Sequence, residues 1–470
     1  MALLQSAPLL LLLGLLLSGR AGPVAACLAA LAASLPGIAL TLPGDFAGIA
    51  VFLVAEAARA LFLGLQPVAV LTGGLLFHLA VTRLQPGRDT GIQASPRRIL
   101  AATLLGGAFV ESVTGFAVGA VFALAALRRM GIGGAPAGAM ALLALVLVPW
   151  GGLGPGTSLG AALVHLPPQE VALATAWPAA AWLLCMPPVL WRLCGAAGLA
   201  VPKREMAMQF AVVVVMATLL VVANLALPFE VAGMVAAGLP LLLVLWRLDP
   251  PRGAAAWYRA LAMLSPWALL CAALLLARSW TRAPSLQVWA DLPPLPLTHV
   301  AVVLWLVSLA LLAVRPEGLG TALKTTLRRA GRPAQAMLLY VLLGRWMAGS
   351  GVAAALAGST ATALGSLAAY AMAPLGLASG LITGSNVASN ASLMAVQASL
   401  GQAAGLPAAA AAGLHNFMGA GGAGMSVGVT AMVVGLLADG TRPAQLWRLL
   451  WPSLAALLLI GWTTLALNGA

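Results

Sequence analysis

Short charged turns divide the chain into apolar blocks of about 16 to 25 residues, and a helix of this length crosses roughly 30 Å of hydrocarbon. Lipid offers no hydrogen-bond partners, so each block has to satisfy its backbone internally as a helix. The ten-residue alternation of a β-barrel is not visible. Of the 470 residues, 62% are hydrophobic and 7% charged, too few polar groups to cover a soluble globule. The sequence therefore predicts an all-α polytopic membrane protein.

The apolar blocks and the polar centres of two further stretches predict the organisation of the chain. Membrane spans are expected at about 3–18, 22–42, 47–64, 67–82, 135–166, 171–191, 207–226, 229–246, 260–277, 297–314, 335–357, 407–437 and 449–467. Stretches 99–127 and 372–404 carry Gly, Ser, Thr and Asn at their centres and are predicted to be re-entrant hairpins. The predicted domains are N-terminal helices (1–82), a first repeat (83–206), middle helices (207–314), a basic cytoplasmic loop (315–334) and a second repeat (335–470).

The basic residues predict the topology. Lys and Arg outnumber Asp and Glu by 24 to 11, and short cytoplasmic loops collect such residues. If the first hairpin enters and leaves on the cytoplasmic side, the arginine pairs at 97–98 and 128–129 join most other basic residues there. Arg20, Arg278 and Arg282 are then assigned to the external side. No basic stripe with interleaved aromatics is present, so nucleic acid is not a predicted partner.

The two hairpins begin a weak internal repeat. Each is followed by a Gly- and Pro-containing connector and then by an interrupted apolar run, 135–166 broken at 149–158 and 407–437 broken at 415–426. Glycine costs about 1 kcal/mol against alanine in a helix, so these glycine-rich centres are predicted to be breaks that line protein or water. Opposite orientation of the hairpins makes the repeat inverted. Inverted repeats with broken transmembrane helices are typical of alternating-access transporters.

Glu111 is the acidic residue that most needs a functional explanation. It stands at the tip of the first hairpin, with no basic residue within ten positions. A carboxylate at membrane depth costs several kcal/mol unless it is paired, hydrated or protonated, so a role as proton carrier is one interpretation. The alternative is that protonated Glu111 only staples the hairpin by hydrogen bonds to its backbone. His415, at the second predicted break, either titrates or packs as a neutral group.

The polar hairpin tips predict an anion site. Half-helix N-termini offer unpaired N–H groups and a positive dipole end, and the neighbouring hydroxyl and amide side chains either bind substrate or cap the helices. The candidate substrate-binding residues are Ser112, Thr114 and Gly115 at the first tip, Thr383, Gly384, Ser385, Asn386, Ser389 and Asn390 at the second tip, and Asn416 beside His415.

Four segments of the sequence resemble the lactate permease family, in the same order and spacing over roughly residues 5 to 465. Gly107-Ala108-Phe109-Val110-Glu111 with Gly115-Phe116 is similar to its GAFLE…GFG segment, and the run from Leu381 to Ala391 is similar to FLTGSDTSSNA. Gly421 to Ser426 is similar to GGVTGKMIS, and Gly64 to Ala69 to GLWPIA.

The resemblance implies a proton-coupled symporter of lactate, with glycolate as a related substrate, in a bacterial inner membrane. By motif it places Glu111, Thr383, Ser385, Asn386, Ser389 and Asn390 around the substrate and proton pathway. The chain departs from the family pattern where Asn386 replaces an Asp and Gly424 replaces a Lys, and it lacks the GFGxP pattern after Gly115. Loss of one negative and one positive charge together is explained if the two pair in the family.

The leading hypothesis is therefore transport of a small organic anion with a proton, in a lipid bilayer and without a cofactor, a metal or a catalysed reaction. The alternatives are transport of another organic anion, coupling to Na⁺ through Asn386 and Asn390, a passive anion channel and a membrane-embedded enzyme. The four cysteines lack CxxC spacing and are predicted to pack in the core. Oligomeric state has no signature in the sequence.

Overall fold

The computed structural model describes residues 2–42, 44–84, 93–314 and 318–469. Within these ranges eight helices are long and apolar enough to cross a membrane, or nine if a pair bent by 69° counts as one span. This confirms the all-α polytopic membrane fold. Arg88 and Arg315, which the charge pattern assigns to cytoplasmic ends, lie outside the described residues.

The first half of the chain contains the N-terminal helices, the first hairpin and the first broken span. The N-terminal helices are α1 (Ala2–Ser18), α2 (Pro23–Thr41) and α3 (Phe46–Leu84). The first hairpin consists of α4 (Pro96–Leu100), a π-helical turn (Ala101–Leu105), α5 (Gly106–Thr114) and α6 (Val118–Arg129). The broken span consists of α7 (Gly134–Leu142), 3-10 turns at Leu143–Leu145 and Val148–Leu153, and α8 (Pro155–Leu163).

The remaining helices complete the bundle. They are α9 (Pro168–Leu184), α10 (Met186–Ala196), α11 (Lys203–Ala226), α12 (Phe229–Leu248), α13 (Ala254–Ser279), α14 (Val300–Ala313), α15 (Leu319–Gly349), α16 (Val352–Leu364), α17 (Met372–Thr383), α18 (Asn386–Ala403), α19 (Ala408–Gly424), α20 (Val427–Leu437) and α21 (Pro443–Leu467). Between α13 and α14 the strands β1 (Ser285–Leu286) and β2 (Leu295–Pro296) pair antiparallel, with Ser285 opposite Pro296. Two 3-10 turns, Gly365–Leu367 and Ala369–Ala371, precede α17.

The two ends of the helix bundle differ in charge. We call the end that carries Arg83, Arg97, Arg128 and Arg332 the basic face, and the other end, which carries the β1–β2 loop, the opposite face. At the opposite face α3 and α15 are joined by Glu56 and Arg345, whose Oε2 and Nη2 atoms lie 2.6 Å apart. The positive-inside rule predicts that the basic face is the cytoplasmic one.

Each predicted hairpin enters and leaves on one face. The first is anchored at the basic face at both ends, where Arg97 pairs with Glu205 at 2.7 Å and Arg128 donates to the Leu436 carbonyl at 2.9 Å. At its tip Gly115, Phe116 and Ala117 have φ values of +66°, +57° and +62°, so the backbone reverses there. The second hairpin turns at Gly384 (φ +71°), and Gln397 of α18 donates to the Met372 carbonyl at the opposite face. Both stretches therefore form hairpins, and their opposite orientation in the membrane stays a prediction.

The two predicted breaks differ. The helix over 135–166 is interrupted as expected, because Gly151, Gly152 and Gly154 have non-helical backbone, although the irregular stretch begins earlier, at Leu143. In the second repeat the prediction of a break at 415–426 is wrong over most of its length. Helix α19 continues through His415 and Asn416 to Gly424, and only Met425 and Ser426 separate it from α20.

The glycines of α19 permit close packing rather than unwinding. A Cβ atom added to Gly380 of α17 would lie 1.9 Å from the carbonyl oxygen of Gly419, and one added to Gly422 would lie 2.3 Å from that of Leu377. Small residues let helix backbones approach closely in membranes, where polar partners and packing replace the hydrophobic driving force. These contacts bring α17 and α19 together and so position the second hairpin.

Two further expectations need correction. The spans predicted at 47–64 and 67–82 form the single 39-residue helix α3, with Pro67 inside it. With one crossing fewer, the charge pattern predicts Arg20 on the side of the basic face rather than outside. Gly22 and Pro23 line a cavity with Arg332 and with Thr383 and Ser385 of the second hairpin tip. The segment predicted to be a basic loop, 315–334, is helical from Leu319, where its basic residues are interspersed with helix-forming Leu and Ala.

Candidate anion site

The tips of the two hairpins meet at a cavity of about 330 Å³. Its wall is formed by the first tip, the second tip, the break before α8, and the ends of α19 and α20. The lining residues of the first tip are Glu111, Gly115, Phe116 and Ala117, and those of the second are Thr383, Gly384, Ser385, Asn386 and Val387. Pro333 and Met432 also line the cavity.

Glu111 holds the first tip together. Its side chain is 2% exposed, and its two carboxyl oxygens accept hydrogen bonds from the backbone N–H of Ala117 at 3.1 Å and of Gly119 at 3.0 Å. Both donors lie at the start of α6, where a helix has unpaired N–H groups and the positive end of its dipole. The staple that the sequence left as an alternative is therefore present. Glu111 also borders the cavity, so both of its interpretations have a geometric basis.

Two helix N-termini border the same cavity. Helix α8 begins at Pro155 after Gly154 without any side-chain cap, and Gly156 lines the cavity. Helix α18 begins at Asn386, where the Ser385 hydroxyl accepts only from the N–H of Ala388, at 3.5 Å. The first N–H groups of these helices have no partner within the helix and attract negative charge. The cavity therefore has two positive dipole ends and one carboxyl group.

A buried amide network lies behind the second tip. The Asn416 side-chain oxygen accepts from the amides of Asn386 at 2.9 Å and Asn390 at 2.8 Å. Its nitrogen donates to the hydroxyls of Thr157 at 3.0 Å and Thr175 at 2.9 Å. The network joins α8, α9, α18 and α19. It fixes the start of α18 relative to the break before α8.

Several predicted residues stand back from the cavity. Ser112 and Thr114 donate to carbonyls of their own helix, those of Ala108 and Val110. His415 is 1% exposed, and its Nε2 lies 3.2 Å from the Ser389 carbonyl. The structure thus brings Glu111, Gly115, Thr383, Gly384, Ser385 and Asn386 together at the cavity, with Asn390 and Asn416 in the network behind it, and places Ser112, Thr114, Ser389 and His415 elsewhere in the core.

Some polar atoms of this region have no hydrogen-bond partner among the residues that the structure describes. They are Asn386 Oδ1, Asn390 Oδ1, Ser389 Oγ and His415 Nδ1. An unpaired buried polar atom costs about 1–3 kcal/mol, so such groups favour water or a polar ligand nearby. Asn386 is the one of these residues that lines the cavity.

Sequence reasoning missed Thr157 and Thr175 as partners of Asn416. Thr157 lies in the glycine-rich break and could have been flagged there, whereas Thr175 is an isolated polar residue in α9 with no local signal. No group of three or more His, Cys, Asp or Glu side chains able to hold a metal ion occurs in the described part of the chain.

In a comparison with known proteins, the C-terminal part of the chain matches one protein family. The family model described as L-lactate permease matches residues 290–467. This range contains the second hairpin, the amide-bearing helix α19 and α21, while Glu111 and the first hairpin precede it. A search of curated proteins finds no significant match.

Proposed function

We propose, from the match of residues 290–467 to the L-lactate permease family model, that the chain transports a small 2-hydroxy monocarboxylate together with a proton. This match and the apolar helices of membrane-spanning length support a multi-pass membrane transporter of lactate type. Lactate or glycolate as substrate, proton symport and a bacterial inner membrane are our proposal. The observation that carries it is the cavity between the hairpin tips, where two helix N-termini face one buried carboxyl group.

The helix N-termini of α8 and α18 are proposed to bind the substrate carboxylate. Free N–H groups and dipole ends attract an anion without a fixed positive side chain, so they also allow its release. The Ser385 hydroxyl and the Asn386 amide border the same space and can reach the substrate hydroxyl or its carboxylate.

Glu111 is proposed to couple the proton to the anion. Ionised, it accepts two backbone N–H bonds at the first tip. Protonated, one oxygen becomes a donor and needs an acceptor instead, so the tip loses part of its staple. A substrate carboxylate in the same cavity repels an ionised Glu111, because two negative charges at close range are unfavourable in a low-dielectric site. Anion binding and protonation therefore favour each other.

The departures from the family motif support a related but altered substrate site. Asn386 and Gly424, which stand where the family has Asp and Lys, both line the cavity. A Cβ on Gly424 would contact the Leu145 side chain at 3.0 Å, so the position is closely packed without a side chain. Loss of both charges keeps the net charge of the cavity unchanged. Binding then depends more on the helix N-termini than on an ion pair.

The test is uptake of labelled lactate or glycolate by the purified protein in proteoliposomes with an inward proton gradient. We expect gradient-driven, saturable uptake, and we expect Glu111→Gln to abolish the response to the gradient. Glu170→Gln, at an exposed carboxyl in the first turn of α9, is the matched control and should behave as the original protein does. Glu111→Gln with intact coupling would remove Glu111 from the proton pathway.

Counterflow separates this proposal from a channel. A carrier with alternating access exchanges external labelled substrate for internal unlabelled substrate. A passive pore only lets the labelled and the unlabelled substrate each equalise in concentration across the membrane. Replacement of the proton gradient by a Na⁺ gradient distinguishes the coupling ion in the same vesicles.

A further inference from the structure

A second cavity, of about 560 Å³, lies at the opposite face, on the far side of Pro155 from the anion site. Pro155 lines both cavities. The second cavity is bordered by α3, α8, the starts of α12 and α14, the end of α13 and the loop before α14. Eight prolines line it and give it a rigid wall, namely Pro67, Pro155, Pro167, Pro168, Pro228, Pro293, Pro294 and Pro296.

The second cavity contains one ion pair. Arg278, in the last turn of α13, binds the carboxylate of Glu230, in the first turn of α12. Among the residues that line this cavity, Arg278 is the single basic residue of the Arg and Lys type, and Glu230 is the single acidic residue. The Glu230 side chain is 6% exposed and that of Arg278 is 43% exposed, so the arginine is the member that an entering molecule meets.

Two further polar groups at this cavity lack a partner. The amide Nε2 of Gln66 and the second carboxyl oxygen, Oε2, of Glu230 are buried without a hydrogen bond in the described structure. A guanidinium carries five N–H donors in a planar fork, and the contact with Glu230 Oε1 leaves donors over for a second carboxylate. Arg278 and Gln66 together therefore present the donors that a carboxylate requires.

A narrow wall separates this cavity from the anion site. The ring of Phe229 packs on Gly154, where a Cβ atom would lie 2.6 Å from it, and Pro155 follows directly. The start of α8, at Gly154 and Pro155, thus separates a ligand in the second cavity from the hairpin tips.

We propose that the second cavity is an entry site for the transported anion, in which Arg278, held in place by Glu230, binds the substrate carboxylate before it passes Pro155. This inference rests on the proposed function, because it takes the transported substrate to be a small carboxylate. The ion pair keeps the arginine oriented and lowers its attraction for anions in general. An incoming carboxylate gives up weaker hydrogen bonds to water. It forms hydrogen bonds to the free N–H groups of the guanidinium and to the Gln66 amide instead.

The test compares the two directions of transport. In proteoliposomes whose orientation has been fixed by labelling, half-saturation for lactate or glycolate is measured with substrate added at the opposite face and, separately, at the basic face. For Arg278→Gln we expect at least about a tenfold higher half-saturation concentration from the opposite face, as for the loss of a charged hydrogen bond. From the basic face we expect no change.

Removal of Arg278 alone leaves the buried Glu230 charge without its partner and can reduce folding. The double variant Arg278→Gln with Glu230→Gln removes both charges at nearly constant volume and should show the same one-sided loss. Arg282→Gln, an exposed arginine at the same face that does not line the cavity, is the matched control and should leave both directions unchanged.

The outcomes separate the two proposals. An equal loss in both directions, or no loss in either, overturns the entry site and assigns the ion pair a structural role. If the original protein transports no carboxylate at all, the proposed function fails instead, independently of Arg278.

Discussion

At the scale of single residues, Asn416 is the side chain on which the geometry of the candidate site most depends. One amide joins Asn386 and Asn390 on one helix to Thr157 and Thr175 on two others. All these groups are buried. Their mutual hydrogen bonds are what make a polar cluster at this depth tolerable, because a partner left unpaired costs the full desolvation penalty.

We therefore expect Asn416→Ala to lower the free energy of unfolding by about 2 kcal/mol or more, since it removes the acceptor of the Asn386 and Asn390 amides and the donor to Thr157 and Thr175. Thermal unfolding of the purified protein in detergent measures the change. Asn468→Ala removes an amide of the same kind at the exposed end of α21 and should shift the transition little. Equal shifts for the two variants would contradict the central role of Asn416.

The sequence predicts single residues where the signal is local. Glu111 is recognisable as an isolated carboxyl between glycines, and Gly384 as a turn residue between polar neighbours. Asn416 was singled out as well, but for a helix break that does not exist. Its partner Thr175 lies 241 positions away, and no local pattern predicts a hydrogen bond at that separation.

At the scale of elements, glycine has two opposite uses in this chain. In the stretch before α8, Gly152 and Gly154 adopt φ values of +59° and +74° and open the helix. In α17 and α19, glycines stay helical and let two backbones touch. Composition alone does not separate these uses, because both give glycine-rich apolar segments. The first break could be predicted since it also contains Pro149 and Pro155, which α19 lacks.

The close crossing of α17 and α19 gives a direct test at this scale. Gly380→Ala adds a methyl group where 1.9 Å separates it from the Gly419 oxygen, so the helices have to move apart. Overpacking of this kind costs about 1–3 kcal/mol, and we expect a lower unfolding temperature together with weaker uptake.

The control is Gly358→Ala in α16, where a Cβ meets no atom within 4 Å. There the higher helix propensity of alanine should leave stability unchanged or slightly raise it. If Gly380→Ala is equally harmless, the contact between α17 and α19 is looser than described.

At the scale of the whole molecule, the continuity of one helix decides the topology of the N-terminal part. The sequence predicts two spans, 47–64 and 67–82, but α3 continues through Pro67 as one helix of 39 residues. A proline is tolerated inside a membrane helix when neighbouring helices accommodate the freed carbonyl. Tertiary packing of this kind is not visible in the sequence, whereas the first hairpin could be predicted, because arginines flank it on both sides.

We expect a cysteine at position 20 (Arg20→Cys) to react with a membrane-impermeant maleimide from the same side as Gly320→Cys, at the start of α15. Gln402→Cys, near the end of α18, should react from the other side. The measurement uses oriented vesicles and a background without the four native cysteines. Labelling of position 20 together with position 402 would show that α3 is two spans after all.

Pro155 forms part of the wall between two spaces on either side of it. If water fills both cavities, electrolyte approaches the wall from both sides. The transmembrane voltage then falls over a few ångströms rather than over the whole hydrocarbon thickness. An ion that crosses this short distance exchanges nearly the full electrical energy, about 2.3 kcal/mol per unit charge at 100 mV, with one small movement of α8.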